Sequence, residues 1–166
     1  HFARDGYRST TNRRLADDVG ITPAALYHYF ESKSELYAAV YCDAVESLYS
    51  EFDRVAAGRG SLLGKYRAVL RRASELQVED QTLTGFIVAV ALEKQRQPDL
   101  IAMIGAQRGR HAKFFGDLVD DAAAAGELQP DVDRQALADV MGALVTGLAR
   151  MTASAGDQHR YTAAVA

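Results

Sequence analysis

The sequence predicts an all-α protein. Apolar residues recur at spacings of three and four through almost every segment, and no stretch alternates in the manner of a half-buried strand. Each of the three prolines stands beside an expected helix boundary. In chain order, a first helix ends near Asp5 and Gly6, its start expected to lie ahead of His1, and a second covers about 11–19 and closes at Gly20. A third covers about 23–29, with Thr22 as its cap and Pro23 in the first helical position, where a missing N–H costs nothing. Ser32, Lys33, Ser34 and Glu35 read as a capping box, serine at the cap and glutamate three residues on, opening a long helix to about Ala57. The glycine-rich stretch 58–61 is a linker, and further helices are expected near 62–78, 82–96, 98–125 and 132–154. Two units follow: residues 1–36 as a helix-turn-helix domain and 37–166 as a larger helical domain.

Composition sets the class without naming a partner. A chain of 166 residues, 48% apolar and 25% charged, has the makings of a globular core. The net charge is -3, divided as +1 over residues 1–33 and -4 over the rest, a weak asymmetry. Cys42 stands alone, so no disulfide forms within the chain; a reducing, cytoplasmic setting fits, and the thiol is expected to be a small buried apolar group. The longest apolar run, 83–92, is about half the roughly 20 residues of a membrane span, and no secretory leader is expected.

The informative stretch is 10–30. Two short helices crossing through a tight turn need a small residue near the crossing, a residue tolerant of positive φ in the turn, and apolar anchors beyond it. Ala16, Gly20, Ile21 and Leu26 supply these in order, with Leu15, Ala16 and Val19 expected on one packing face. Thr22, Pro23, Ala24 and Ala25 then form a small, uncharged tip suited to a major groove, where alanine and threonine methyls meet thymine methyls. Tyr27, Tyr29 and Lys33 fall at phosphate-reaching positions around it. Thr10 is expected to cap the second helix, leaving backbone N–H groups for a phosphate. Arg13 and Arg14 oppose the helix dipole in that first turn, and a nearby anion accounts for them; a solvated arginine pair is the alternative.

This segment resembles the tetracycline-repressor (TetR) family of transcriptional regulators. The resemblance rests on Phe2–Thr11, Arg14–Ala16, Gly20–Phe30 and Ser32–Leu36, above all on Leu26, Tyr27, His28, Tyr29 and Phe30 followed by Lys33, and covers about 36 of 166 residues. It implies a dimer, each subunit placing the 23–29 helix in a major groove. By the same resemblance Thr10, Thr11, Tyr27, Tyr29 and Lys33 match phosphate contacts, and Thr22, Pro23, Ala24 and Ala25 match the base-facing tip. The family-typical member is a repressor released from its operator by a ligand. The alternative is a helix-turn-helix protein that binds DNA constitutively.

Residues 37–166 carry only a compatible helical pattern. The 83–92 helix is apolar around most of its circumference and is expected inside the domain. Tyr66, Phe86, Glu93, Met103, His111, Phe114, Phe115 and Met141 are candidates for a pocket that takes a lipophilic or aromatic effector, with ordinary core packing the competing role for each. Gly105, Gly109, Ala112 and Gly116 form a stripe of small residues, and Val140, Leu144 and Leu148 belong to an apolar face on the last helix. Together they suit either a homodimer interface or packing within one subunit.

Catalysis finds no support. Gly58 to Lys65 has a superficial likeness to a phosphate-binding loop, but three residues separate Gly60 from Gly64 and Tyr66 stands where serine or threonine is required. The four histidines, at 1, 28, 111 and 159, lack metal-ligand spacing. No catalytic residue, metal or cofactor is expected; the expected partners are operator DNA, a small effector and a second copy of the chain, with no membrane.

Overall fold

The structure is a computed structural model that describes residues 1–93 and 98–155, apart from the side chains at 88, 91–93, 98–103, 105–108 and 150–155. Helices make up its regular structure: α1 (Phe2–Ser9), α2 (Asn12–Val19), α3 (Pro23–Tyr29), α4 (Lys33–Ala56), α5 (Leu62–Glu79), α6 (Gln81–Glu93), α7 (Pro98–Ala124) and α8 (Arg134–Ala155). No described helix is long and apolar enough to cross a membrane.

Side chains start these helices. The hydroxyls of Thr11, Thr22, Ser32 and Ser61 accept the N–H three residues on, at 3.1–3.3 Å. The carboxylates of Asp80 and Asp133 do the same for Leu83 at 2.8 Å and Ala136 at 3.0 Å. Each such cap satisfies one orphan donor and is worth about 1 kcal/mol. Glu35 turns back to accept the Glu31 N–H at 2.6 Å, so the expected capping box closes one residue earlier than its simplest form. The first helix departs from expectation: it does not stop at Gly6 but kinks there (φ 77°, ψ 168°) and rewinds to Ser9. The rewound turn persists because its carbonyls find side-chain donors from Thr10 and Lys33.

The long helix α4 is the spine. Tyr37, Ala38, Tyr41, Ala44, Val45, Tyr49, Phe52 and Ala56 are buried along one stripe at helical spacing. That stripe meets α5, α6 and α7, while α7 packs on α8 and α1 reaches α6. Phe86 and Val90 of α6 are buried, as the apolar 83–92 run led one to expect. Cys42, expected to be buried, is only half-buried on α4. Ion pairs brace the rims: Arg72 of α5 reaches Glu51 of α4 at 2.9 Å and Glu79 of its own helix at 2.9 Å, and Arg110 of α7 pairs with Glu46 and Asp53 of α4.

Two aromatic clusters share the spine. Near its start, Tyr37 meets Phe2, Tyr7 and Phe86 edge-on, with ring centroids 4.8, 5.0 and 5.3 Å away. Edge-to-face pairs of this kind add about 0.5–1.5 kcal/mol each beyond the area they bury. Further along, Tyr49 and Phe52 pack against Phe114 of α7, and Phe114 against Phe115. Burial raises the Tyr49 phenol above its ordinary range, so it keeps its proton, and its hydroxyl is hydrogen-bonded with Nδ1 of His111. His111 Nε2 lies where a Cβ on Gly142 of α8 would stand, so glycine is what lets α8 close on this ring.

Gly142→Ala is therefore expected to force the histidine out of place and destabilise the fold by about 1–3 kcal/mol, read as a lower midpoint in urea. Burial also holds the His111 pKa below its ordinary value. The unfolded chain then binds the extra proton first, so His111 contributes stability above about pH 6.5 that is lost as pH falls toward its depressed folded value. His111→Gln is expected to flatten the decline of unfolding free energy between about pH 7 and 5.

Candidate nucleic-acid interface

The site is built on α2, the Gly20 turn and α3. Ala16 is fully buried at the crossing. Gly20 adopts φ 73°, ψ 28°, a left-handed conformation that glycine enters without strain, and the Ile21 N–H returns to the Ala16 carbonyl at 3.0 Å. Leu26 is the buried anchor of α3. With Leu26 turned inward, the opposite side of α3 faces out. Thr22 and Ala24 are exposed, Pro23 and Ala25 half-buried, and Tyr27, His28 and Tyr29 exposed, Tyr29 at 74%. Val19 differs from expectation: it does not join Leu15 and Ala16 in packing but stands 68% exposed. It lines a cavity of about 490 Å³ between α1, α2, α4 and α6, together with Phe2, Leu15, Leu36, Val40 and Phe86.

The residues expected to meet phosphate divide. Thr11, exposed, caps α2, with its hydroxyl on the Arg14 N–H. Thr10 corrects the sequence reading. It is 0% exposed and donates its hydroxyl to the Gly6 carbonyl at 2.8 Å, so it neither caps α2 nor reaches a ligand. Arg13 and Arg14 are exposed at the head of α2, and Arg14 pairs with Asp5 at 3.1 Å. The Lys33 ammonium turns inward to the end of α1.

Sequence reasoning missed two residues here. Asn12, 8% exposed, buries an Oδ1 that has no hydrogen-bond partner among the described residues. An amide in the first turn of a helix beside an apolar crossing was the available signal. Tyr7 joins Lys33 to Tyr37, a contact across 26 residues that no local pattern announces.

Among the described residues, those expected to line a pocket do not converge on one space. Phe114 and Phe115 are buried in the core and His111 packs beside them. Phe86 faces the junction cavity. Tyr66 and Met141 line an apolar groove of about 400 Å³ with Leu62, Leu63, Leu137 and Val140, and the Tyr66 hydroxyl donates to the Met141 carbonyl at 2.8 Å. Of the residues expected at a dimer interface, Gly109 and Ala112 are exposed, Gly116 and Leu148 half-buried, and Val140 and Leu144 exposed at 56% and 52%. Glu93, Met103 and Gly105 lie outside the residues whose surroundings are described.

Comparison with known proteins bears on this outward-facing helix-turn-helix and on the helices behind it. Residues 1–40 match the family of bacterial regulatory proteins named tetR. The HTH-type transcriptional repressor KstR2 of Mycolicibacterium smegmatis is 27% identical over 134 residues, 80% of this chain; the aligned chain spans 64% of that repressor's length. Among solved structures, FadR of Bacillus subtilis in complex with stearoyl-CoA superposes with a TM-score of 0.83 at 14% identity, covering 99% of this chain and 87% of FadR. AibR in complex with isovaleryl coenzyme A and operator DNA gives 0.67 at 19%, covering 90% and 80%. At these identities the two structures share its fold.

Replacing Asn12 by leucine, of similar shape, is expected to raise stability by about 1–3 kcal/mol, since a buried acceptor without a donor costs that much. Thermal unfolding of Asn12→Leu checks it; a lower midpoint would mean that the amide is satisfied in solution.

Proposed function

We propose that the protein is a dimeric, ligand-responsive DNA-binding regulator, a repressor that leaves its operator when a small lipophilic effector binds. The observation that carries this is the free tip of α3: a buried Leu26 beneath, small side chains from Thr22 to Ala25 in front, and exposed Tyr27 and Tyr29 beside them. Thr22, Pro23, Ala24 and Ala25 read base edges, where small groups admit close approach to the groove floor. Thr11, Arg13, Arg14, Tyr27 and Tyr29 hold phosphates, which gives affinity and register but little sequence preference.

Dimerisation through α7 and α8 is supported by the exposed Gly109 and Ala112 on one helix and Val140 and Leu144 on the other. Apolar groups left at a surface beside small residues suit close packing of helices against a second copy. The effector class is supported by the apolar lining of the groove beside Tyr66 and Met141 and by the coenzyme A thioesters bound to FadR and AibR, so acyl thioesters are the first compounds to try. Tyr66 and Met141, already beside an open groove, are the leading contacts, with Phe86, Glu93, Met103, His111, Phe114 and Phe115 behind them. A ligand there releases DNA only by favouring a different head arrangement.

Selection from random duplexes is expected to recover an inverted repeat with half-sites roughly 34–36 Å apart, or a multiple of that. Tyr29→Phe and Arg13→Gln are expected to weaken binding about equally across sequences, whereas Ala24→Ser is expected to change which sequence is preferred. An unenriched pool, or a stable monomer by sedimentation at micromolar concentration, would end this reading.

A further inference from the structure

Lys33 opens α4, and its ammonium is already fully engaged. Nζ lies 2.8 Å from the Tyr7 carbonyl oxygen, 3.0 Å from that of Thr10 and 3.5 Å from that of Arg8. It also stands 4.4 Å from the centroid of the Tyr7 ring. An ammonium has three N–H bonds and accepts nothing, so three carbonyls exhaust it. Those carbonyls end α1 and lead into α2, where helical acceptors lack partners and the dipole is negative. Thr10 closes the same corner from its other side by donating to Gly6. The Tyr7 ring passes the contact to Tyr37, and Tyr37 to Phe86 of α6.

We infer that Lys33 is a positioning residue: it bolts the α1–α2 corner to the first turn of α4, and so sets the angle at which the reading head leaves the spine. On this assignment it governs DNA binding by where it holds α3 and donates nothing to phosphate, in place of the backbone contact its motif position suggests. The inference rests on the DNA-binding reading above and specifies one part of it. In a dimer the angle at each head becomes the distance between two recognition helices, and that distance is matched to half-site spacing. A loosened head therefore tolerates the wrong spacing, an effect that loss of a phosphate contact does not produce.

The test uses the full chain and the duplex it selects, titrated by fluorescence anisotropy across a salt series, then against duplexes with one base pair added or removed between half-sites. Lys33→Met is expected to bind about tenfold more weakly at every salt concentration, with the wild-type slope of log affinity against log salt, because no counterion-releasing contact is lost. It is also expected to accept the altered spacings that the wild type rejects. Arg13→Gln serves as the contrast, lowering the slope by about 0.9 for each phosphate contact removed while keeping the spacing preference. A Lys33→Met variant that behaves like Arg13→Gln overturns the inference.

Should that variant fail to fold, the wild-type ammonium is read directly by 15N NMR. A Lys33 Nζ signal protected from exchange in the free protein and unmoved by saturating duplex supports the bolt. A signal that appears or shifts only with duplex overturns it. Wild-type protein that binds no duplex sinks the regulator reading instead, and the free-protein signal still decides whether the bolt exists.

Discussion

The structure turns on one ring. Tyr37, buried in the first turns of α4, is where the reading head and the second domain share a surface: Phe2 and Tyr7 reach it from α1, and Phe86 from α6. Without that cluster, α1 to α3 would be a three-helix unit of under forty residues joined to the rest only through α4. A unit of that size buries too little apolar surface to hold a fixed orientation on its own. With it, the head is packed on the spine from two directions, and a rearrangement near α6 has a physical route to α3. Packed aromatic faces change arrangement in steps rather than by continuous bending, which suits the switch between two head positions that the proposed function requires.

Much of the head was legible in the sequence because its signals are local. The caps at Thr22 and Ser32, proline at the start of α3 and glycine in the turn each act within a few residues of backbone, and each stands where its chemistry requires. The misreadings came where distant residues decide. Thr10 and Thr11 are equally good caps on paper; Thr10 is drawn inward because the Gly6 carbonyl, freed by the kink, needs a donor. Val19 has the right spacing to pack, yet its exposure depends on what stands opposite, and spacing carries no such information.

The second domain was legible as helices and little more. Apolar spacing placed α5, α7 and α8 and the start of α6 within a few residues of their ends, while the expected end of α6 at 96 lies outside the described residues. It did not separate an aromatic side chain that fills space from one that lines it, since Phe114, Phe115 and Phe86 look alike in sequence and sit in different surroundings. Nor did the apolar face of the last helix divide into its two sides. Met141 and Val145 turn into the core while Val140 and Leu144 turn out, a distinction of one helical step.

The stacking of Phe2 near Phe86, with Tyr37 between their helices, bears on how such proteins diversify. The joint draws on the first seven residues, on Tyr37 and on Phe86, so a head transplanted from one relative to another arrives with only its own side of the contact. On the proposed function, operator choice and effector choice are thus not freely interchangeable cassettes. Shuffling them demands that both halves of the joint travel together, or be refitted.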